Sequence, residues 1–276
     1  MASAPAGWKK KKVEYNDRVN ELNRLLGEYG INTVCRSARC PNRWECFTKG
    51  KVTFLIGGDI CTSNCRFCGV GQGTPLPPPA GETENIVSFI DKLGLEKAVI
   101  TSVCRDDLPD RGAGLFYECV RALKKSRPGM DVEVLIPSFE ADERLISLVV
   151  SSGPDTVSHN VEAVERIIKK LRNRNTYPIS LKALSAIKKT GAKMVKTGIM
   201  LGLGETEAEV LQTIDEIAEL KCDILTIGQY LQPSKDRVPV ERYIPLEEFD
   251  IYRKRAEKAG IPLVFSGPFV RSSYVP

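Results

Sequence analysis

The residues best suited to chemistry in this sequence are its cysteines. Cys61-Thr62-Ser63-Asn64-Cys65-Arg66-Phe67-Cys68 sets three thiols in a C-x3-C-x2-C spacing. Three thiolates leave one coordination position open. On a cluster of four irons they anchor three and free the fourth for a small molecule, the logic by which catalytic metal sites differ from closed structural ones. Structural zinc is the competing reading, but it asks for four ligands, and the sole histidine, His159, is remote in sequence. Another triplet, earlier in the chain, Cys35-x4-Cys40-x5-Cys46, again supplies three ligands with no close fourth. A second cluster with an unusual fourth ligand is the simplest account, against coincidental cysteines in a loop. Six of the nine cysteines lie between Cys35 and Cys68. Met1–Lys12 has neither the apolar core of a secretory signal nor the arginines and serines of a transit peptide, so a cytoplasmic location with reduced thiols is expected. Metal binding or catalysis then outranks a disulfide framework. Cys119 and Cys222 read as small buried hydrophobes.

The elements that must position these residues follow from hydrophobic periodicity. Asn16 to Tyr29 carries Val19, Leu22, Leu25 and Leu26 at helical spacing and stops at Gly30. A cysteine-rich, non-periodic loop follows. Short apolar runs then predict strands near Val52–Ile56, Ala98–Val103, Val132–Ile136, Thr156–Ser158, Met194–Met200, Ile224–Ile227 and Pro262–Phe265. Helices are predicted near Asn85–Leu93, Phe116–Lys125, Glu140–Ser151, Ile179–Thr190, Glu207–Leu220 and Leu246–Ala259. Strand and helix in alternation imply a parallel sheet. About six such units fit, fewer than the eight of a closed barrel, so an incomplete parallel (β/α)6-type barrel is expected rather than a doubly wound sheet. It would span residues 51–260, between an N-terminal extension (1–50) bearing the first cysteine triplet and a C-terminal extension (261–276). The second triplet follows the first strand, at the end where such barrels carry their active loops.

Composition narrows the function classes. With 42% hydrophobic and 27% charged residues the chain is an ordinary globular one, and no apolar stretch approaches a membrane-spanning length. A net charge of +5 is too mild to imply nucleic acid, and it is partly local, in the run Lys9 to Lys12, which reads as a disordered arm. Neither a nucleic acid nor a membrane is an expected partner.

The two triplets, in this order and this close, resemble the lipoyl synthase family of radical S-adenosylmethionine enzymes. The likeness extends from Cys35 to Tyr274 and includes Gly58-Asp59-Ile60-Cys61-Thr62, Asp106-Asp107-Leu108-Pro109-Asp110, His159-Asn160-Val161-Glu162, the run from Lys196 to Glu205, the run from Asp223 to Pro233 and Arg271-Ser272-Ser273-Tyr274. Two departures from the usual pattern stand out: Cys104 where an Asp is common, placing a further thiol near the radical site, and Arg111 where a Gly is usual.

The resemblance implies two 4Fe-4S clusters. Cys61, Cys65 and Cys68 would hold the one that binds and cleaves S-adenosylmethionine to a 5′-deoxyadenosyl radical. Cys35, Cys40 and Cys46, with Ser273 as fourth ligand, would hold an auxiliary cluster consumed as sulfur donor. Sulfur would enter at C6 and C8 of an octanoyl chain linked to a lysine of a lipoyl domain, in a dehydrogenase complex or its glycine-cleavage counterpart. Two S-adenosylmethionine molecules and an electron donor such as ferredoxin or flavodoxin would be used. Phe67 would flank the adenine, or else pack under its loop. Asn160 and Glu162 would hold the ribose or the methionine head. Gly198 and Met200 would lie along the adenine, with Gly202 and Gly204 either beside them or in a tight turn. The rival readings are another radical sulfur-transfer enzyme, such as a methylthiotransferase, and a non-enzymatic zinc or electron-carrier module.

Overall fold

The structure, a computed structural model, describes Trp8 and residues 16–274. The lysine run Lys9 to Lys12, expected as an arm, lies outside the described residues. Helix α1 (Asp17–Glu28) forms as its apolar face requires, burying Val19, Leu22, Leu25 and Leu26, while the Asn16 side chain accepts from Val19 N at 2.9 Å to cap it. The segment expected as a loop around the first cysteines instead holds two short helices, α2 (Val34–Ser37) and α3 (Arg43–Thr48). Four to six residues are too few to show a helical period, which is why the sequence pattern misses them.

Strand β1 (Thr53–Ile56) is buried along its whole length. Two short strands, β2 (Ile60–Cys61) and β3 (Gly71–Gln72), pair with each other and bracket the second triplet. Then come α4 (Glu82–Leu93), β4 (Lys97–Ser102), α5 (Ala113–Ser126), β5 (Asp131–Leu135), α6 (Glu143–Ser151), β6 (Thr156–Ser158), α7 (Glu165–Leu171), α8 (Tyr177–Lys189), β7 (Val195–Leu201), α9 (Glu207–Glu219), β8 (Ile224–Gln229), α10 (Leu246–Lys258) and β9 (Leu263–Gly267). Helix α6 starts later than the sequence pattern predicts because Phe139, Glu140 and Ala141 all take positive φ (47, 54 and 61°) in a tight turn before it. Helix α7 is an element the pattern does not predict.

Seven parallel strands line up as β1-β4-β5-β6-β7-β8-β9, so spatial order follows chain order, with a helical crossover between each successive pair. Among the described residues β1 and β9 do not pair, and the sheet is the expected incomplete barrel. The edge of β1 is covered by the N-terminal segment: Thr33 bridges Phe54 in antiparallel sense and Leu55 N donates to Asn32 O at 2.9 Å. No helix among the described residues is long and apolar enough to cross a membrane.

Register puts one set of side chains inside. Leu55, Thr101 and Leu135 align across β1, β4 and β5, and Gly198 and Met200 align with Thr226 and Gly228 across β7 and β8. Below Gly198, two residues earlier on the same face, Lys196 donates to Glu133 Oε1 at 2.8 Å, and the two side chains are 6% and 4% exposed. Ser158 Oγ adds a bond to the same oxygen at 3.1 Å. A buried ion pair holds only when its remaining polar atoms are met in this way. It forms a polar floor beneath the upper interior.

Candidate active site

The loop after β1 is fixed from below before it presents any thiol. Arg105, almost fully buried, donates to Gly57 O at 2.7 Å and makes a two-pronged pair with Asp107 (2.9 and 2.7 Å). Thr62 N donates to Cys104 O at 3.1 Å, and the single Thr62 hydroxyl hydrogen is shared between that oxygen (3.0 Å) and Asp106 Oδ2 (2.9 Å). Asp106 and Asp107 thus brace the loop. Glu82 on α4 accepts from Gly57 N at 2.8 Å.

Held this way, Cys61, Cys65 and Cys68 line a cavity of about 190 Å³ with Phe67, His159, Asn160, Glu162 and Arg172. A neighbouring cavity of about 400 Å³ is lined by Cys35, Cys40, Gly198, Met200, Ser272 and Ser273. Phe67, Cys68, Asn160 and Glu162 belong to both, so one wall divides them. Cys46 lines neither. It sits behind, buried on α3, near enough to Cys35 and Cys40 for their charges to act on it.

Burial, and then the neighbouring thiolates, push Cys46 up to about 12; burial and the Cys40 thiolate push Cys35 up to about 11. Cys68 is raised to about 11 by burial and by Cys65 and Cys61. Cys61 departs from this pattern: a hydrogen bond with the Cys104 thiol outweighs burial and lowers it to about 6. Buried thiols that repel one another when ionised need a positive group among them, and an iron-sulfur cluster is such a group. Among the described residues no three His, Cys, Asp or Glu side chains converge as tightly as a single metal ion requires. A four-iron cluster spreads its thiolates over three irons, so a wider spacing within each triplet is compatible with it.

The C-terminal segment closes onto the first triplet. Asn42 Nδ2 donates to Phe269 O at 2.7 Å, and Tyr274 OH donates to Glu45 Oε1 at 2.5 Å, holding the tail to the N-cap and first turn of the helix that bears Cys46. Arg271 and Tyr274 exchange two backbone bonds of 3.0 Å, a tight turn that carries Ser272 and Ser273 into the larger cavity. Ser272 Oγ then donates to Asn160 Oδ1 at 2.7 Å, and Asn160 Nδ2 donates to Glu162 Oε1 at 3.3 Å. The tail therefore reaches the residues expected to hold S-adenosylmethionine.

Glu162 has its carboxyl raised by burial, against the pull of Arg172 and Asn160. Arg172, 10% exposed, lies 3.5 Å from Glu162 Oε1 and holds its guanidinium 5.1 Å from the Phe67 ring centroid. Burial alone depresses it; the charges of Glu162 and Cys65 reverse that, leaving it raised. Arg172 is the main functional candidate that the sequence pattern misses, because Arg172-Asn173-Arg174-Asn175 reads as a solvated run. His159 is buried with Nδ1 3.0 Å from Ile136 O, and burial lowers it to about 4. Gly198 and Gly202 are both tightly enclosed, and Gly202 and Gly204, at φ of 97 and 96°, form the tight turn before α9, where Glu205 accepts from Leu203 N at 2.9 Å. They line neither cavity.

The sequence profile of the Radical SAM superfamily matches residues 55–217. A solved structure of HydG, a maturase of the FeFe-hydrogenase, superposes with a TM-score of 0.61 at 14% identity, covering 92% of this chain and 57% of that one. Fold and profile make the chain a radical S-adenosylmethionine protein. Its relatives are more particular. The lipoyl synthase of Flavobacterium psychrophilum is 45% identical over 97% of this chain and 92% of its own length, and that of Caldicellulosiruptor bescii 42% identical over the same shares. The chain belongs to the lipoyl synthase family.

Proposed function

We propose that the chain inserts two sulfur atoms, at C6 and C8, into an octanoyl chain carried on a lysine of a lipoyl domain, using S-adenosylmethionine. Family membership supports the reaction and one four-iron cluster; the residue roles, the second cluster and the electron donor are our reading. Cys61, Cys65 and Cys68 would hold the first cluster, and Cys35, Cys40, Cys46 and Ser273 the auxiliary one. When bound, the first supplies the electron and open iron for S-adenosylmethionine, and the second supplies sulfur.

The protein's own part is placement and exclusion of water. Asn160 and Glu162 offer acceptors for an amino group or a ribose hydroxyl, with Arg172 balancing the carboxylate. The Phe67 ring gives a flat face against which adenine can lie. Gly198, whose missing side chain lets Ser272 and Asn160 close in over β7, and the flexible Met200 would lie along the adenine. The extensions 1–50 and 261–276 would act as one unit beside the barrel, 51–260, with β9 as the join. A ferredoxin or flavodoxin is the electron donor we infer, and acidic lipoyl domains the protein substrate. The observation that carries the reading is the common wall, Phe67, Cys68, Asn160 and Glu162, between the two thiol-lined cavities. Both chemistries are thereby brought against a single substrate chain.

The test is anaerobic loading with iron and sulfide, then reductant, S-adenosylmethionine and an octanoylated lipoyl-domain peptide. Cys65→Ala should abolish 5′-deoxyadenosine. Cys40→Ala should keep part of that cleavage and lose all thiolated product. Lipoyl product from Cys40→Ala would overturn the donor assignment.

A further inference from the structure

Cys104 is the one thiol in the smaller cavity with no part in the roles above. It stands against Cys61: Cys104 N donates to Cys61 Sγ at 3.2 Å. The backbones on either side are pinned together, with Thr62 N and Oγ1 both donating to Cys104 O. Nearby, Cys65 is occupied differently, its sulfur 3.3 Å from Ser63 Oγ. Both Cys61 and Cys104 are half-buried and line the cavity. The Cys104 amide lies 3.2 Å from Cys61 Sγ, on a backbone hydrogen-bonded to that of Thr62, and a disulfide requires backbones as close as this.

We propose that in the cluster-free chain Cys61 and Cys104 form a reversible disulfide by exchange with a low-molecular-weight disulfide. One protein thiolate attacks a sulfur of the small disulfide, giving a mixed disulfide and releasing one small thiolate. The second protein thiol then displaces the other small thiol as the Cys61–Cys104 bond closes, and its proton passes to the leaving thiolate. Two protein thiols are oxidised and one small disulfide is reduced to two thiols. The link keeps Cys61 on a reversible step of cysteine oxidation, short of sulfinic acid. It also withholds Cys61 until a thiol reductant restores it. That consequence for loading rests on the assignment of Cys61 to a cluster; the link itself does not.

Cystamine is the probe. The full-length chain, stripped of iron, is equilibrated with it, the remaining thiols are alkylated, and an unreduced digest is read by mass spectrometry. The expected result is a Cys61–Cys104 peptide pair, loss of two of the nine titratable thiols from this pair, and full recovery with dithiothreitol. In Cys104→Ser the pair should vanish and Cys61 should carry a cysteamine adduct instead. A Cys61–Cys65 or Cys61–Cys68 pair in its place, a lasting adduct on Cys61 of the parent chain, or no modification would each overturn the proposal. The parent digest decides even if the variant does not fold. Iron content of the loaded chain, measured separately, tests the cluster assignment and does not depend on the digest.

Discussion

Gly198→Ala isolates the point where the tail, the β7 strand and Asn160 meet. A methyl group on Gly198 would stand 2.5 Å from Thr226 Oγ1, 2.9 Å from Ser272 Oγ and 3.1 Å from Asn160 Oδ1. None of the three can simply withdraw. Thr226 donates to Thr197 O at 3.2 Å, and Ser272 is tied to Asn160 at 2.7 Å. Overpacking of this kind costs about 1–3 kcal/mol. If all of it falls on the loaded site, S-adenosylmethionine binding weakens by roughly 5- to 150-fold, since about 1.4 kcal/mol is tenfold. Calorimetric titration of the iron-loaded enzyme measures this, with the thermal midpoint of the cluster-free chain beside it. Adding Ser272→Ala removes one of the crowded contacts, so the double variant should recover part of the loss, with a coupling of about 0.5–3 kcal/mol. An alanine variant that binds S-adenosylmethionine as tightly as the parent, with an unchanged midpoint, would refute the crowding described for Gly198.

Tyr274→Phe removes a hydroxyl donated to the Glu45 carboxylate, a bond worth about 1.5–3 kcal/mol, so tryptic cleavage after Arg271 should quicken by roughly ten- to a hundredfold; unchanged cleavage counts against tail docking through this contact. Glu133→Leu strands the Lys196 ammonium in the interior and should cost about 3–5 kcal/mol in urea unfolding, whereas adding Lys196→Met should restore most of it. His159 has its pKa lowered to about 4 by burial and by the Arg172 charge. The unfolded chain therefore takes up a proton that the folded chain refuses, and stability falls as pH drops from about 6.5 to about 4, by at most about 1.4 kcal/mol per pH unit. His159→Gln should flatten that slope in unfolding experiments, and equal slopes in parent and variant would exclude His159 as its source.

The parallel sheet was legible because its strands are continuously apolar, as in Thr53–Ile56, and because the helices between them keep a clear period. The spacing of both thiol triplets is legible for a different reason: each lies within one short stretch of sequence. What escaped notice depends on contacts far apart in the chain. Arg172 looks solvated in its own neighbourhood and is buried only because the end of α7 turns it toward Phe67 and Glu162. Nor does anything local to Ser272 announce a bond to Asn160. Lys196 and Glu133 did carry a signal, being charges at inward positions of otherwise apolar strands, but their partnership appears only once β5 and β7 flank β6.

The contacts Asn42–Phe269 and Glu45–Tyr274 join residues 227 and 229 positions apart. At ribosomal speeds of about 5–20 residues per second, that separation amounts to roughly 10–50 s of synthesis. During this interval Cys35, Cys40 and Cys46 have left the ribosome while the segment that covers them is still being made. Under the auxiliary-cluster assignment proposed above, metal delivered to these thiols too early would meet a half-built shelter, and loading would be timed by the finishing of the polypeptide.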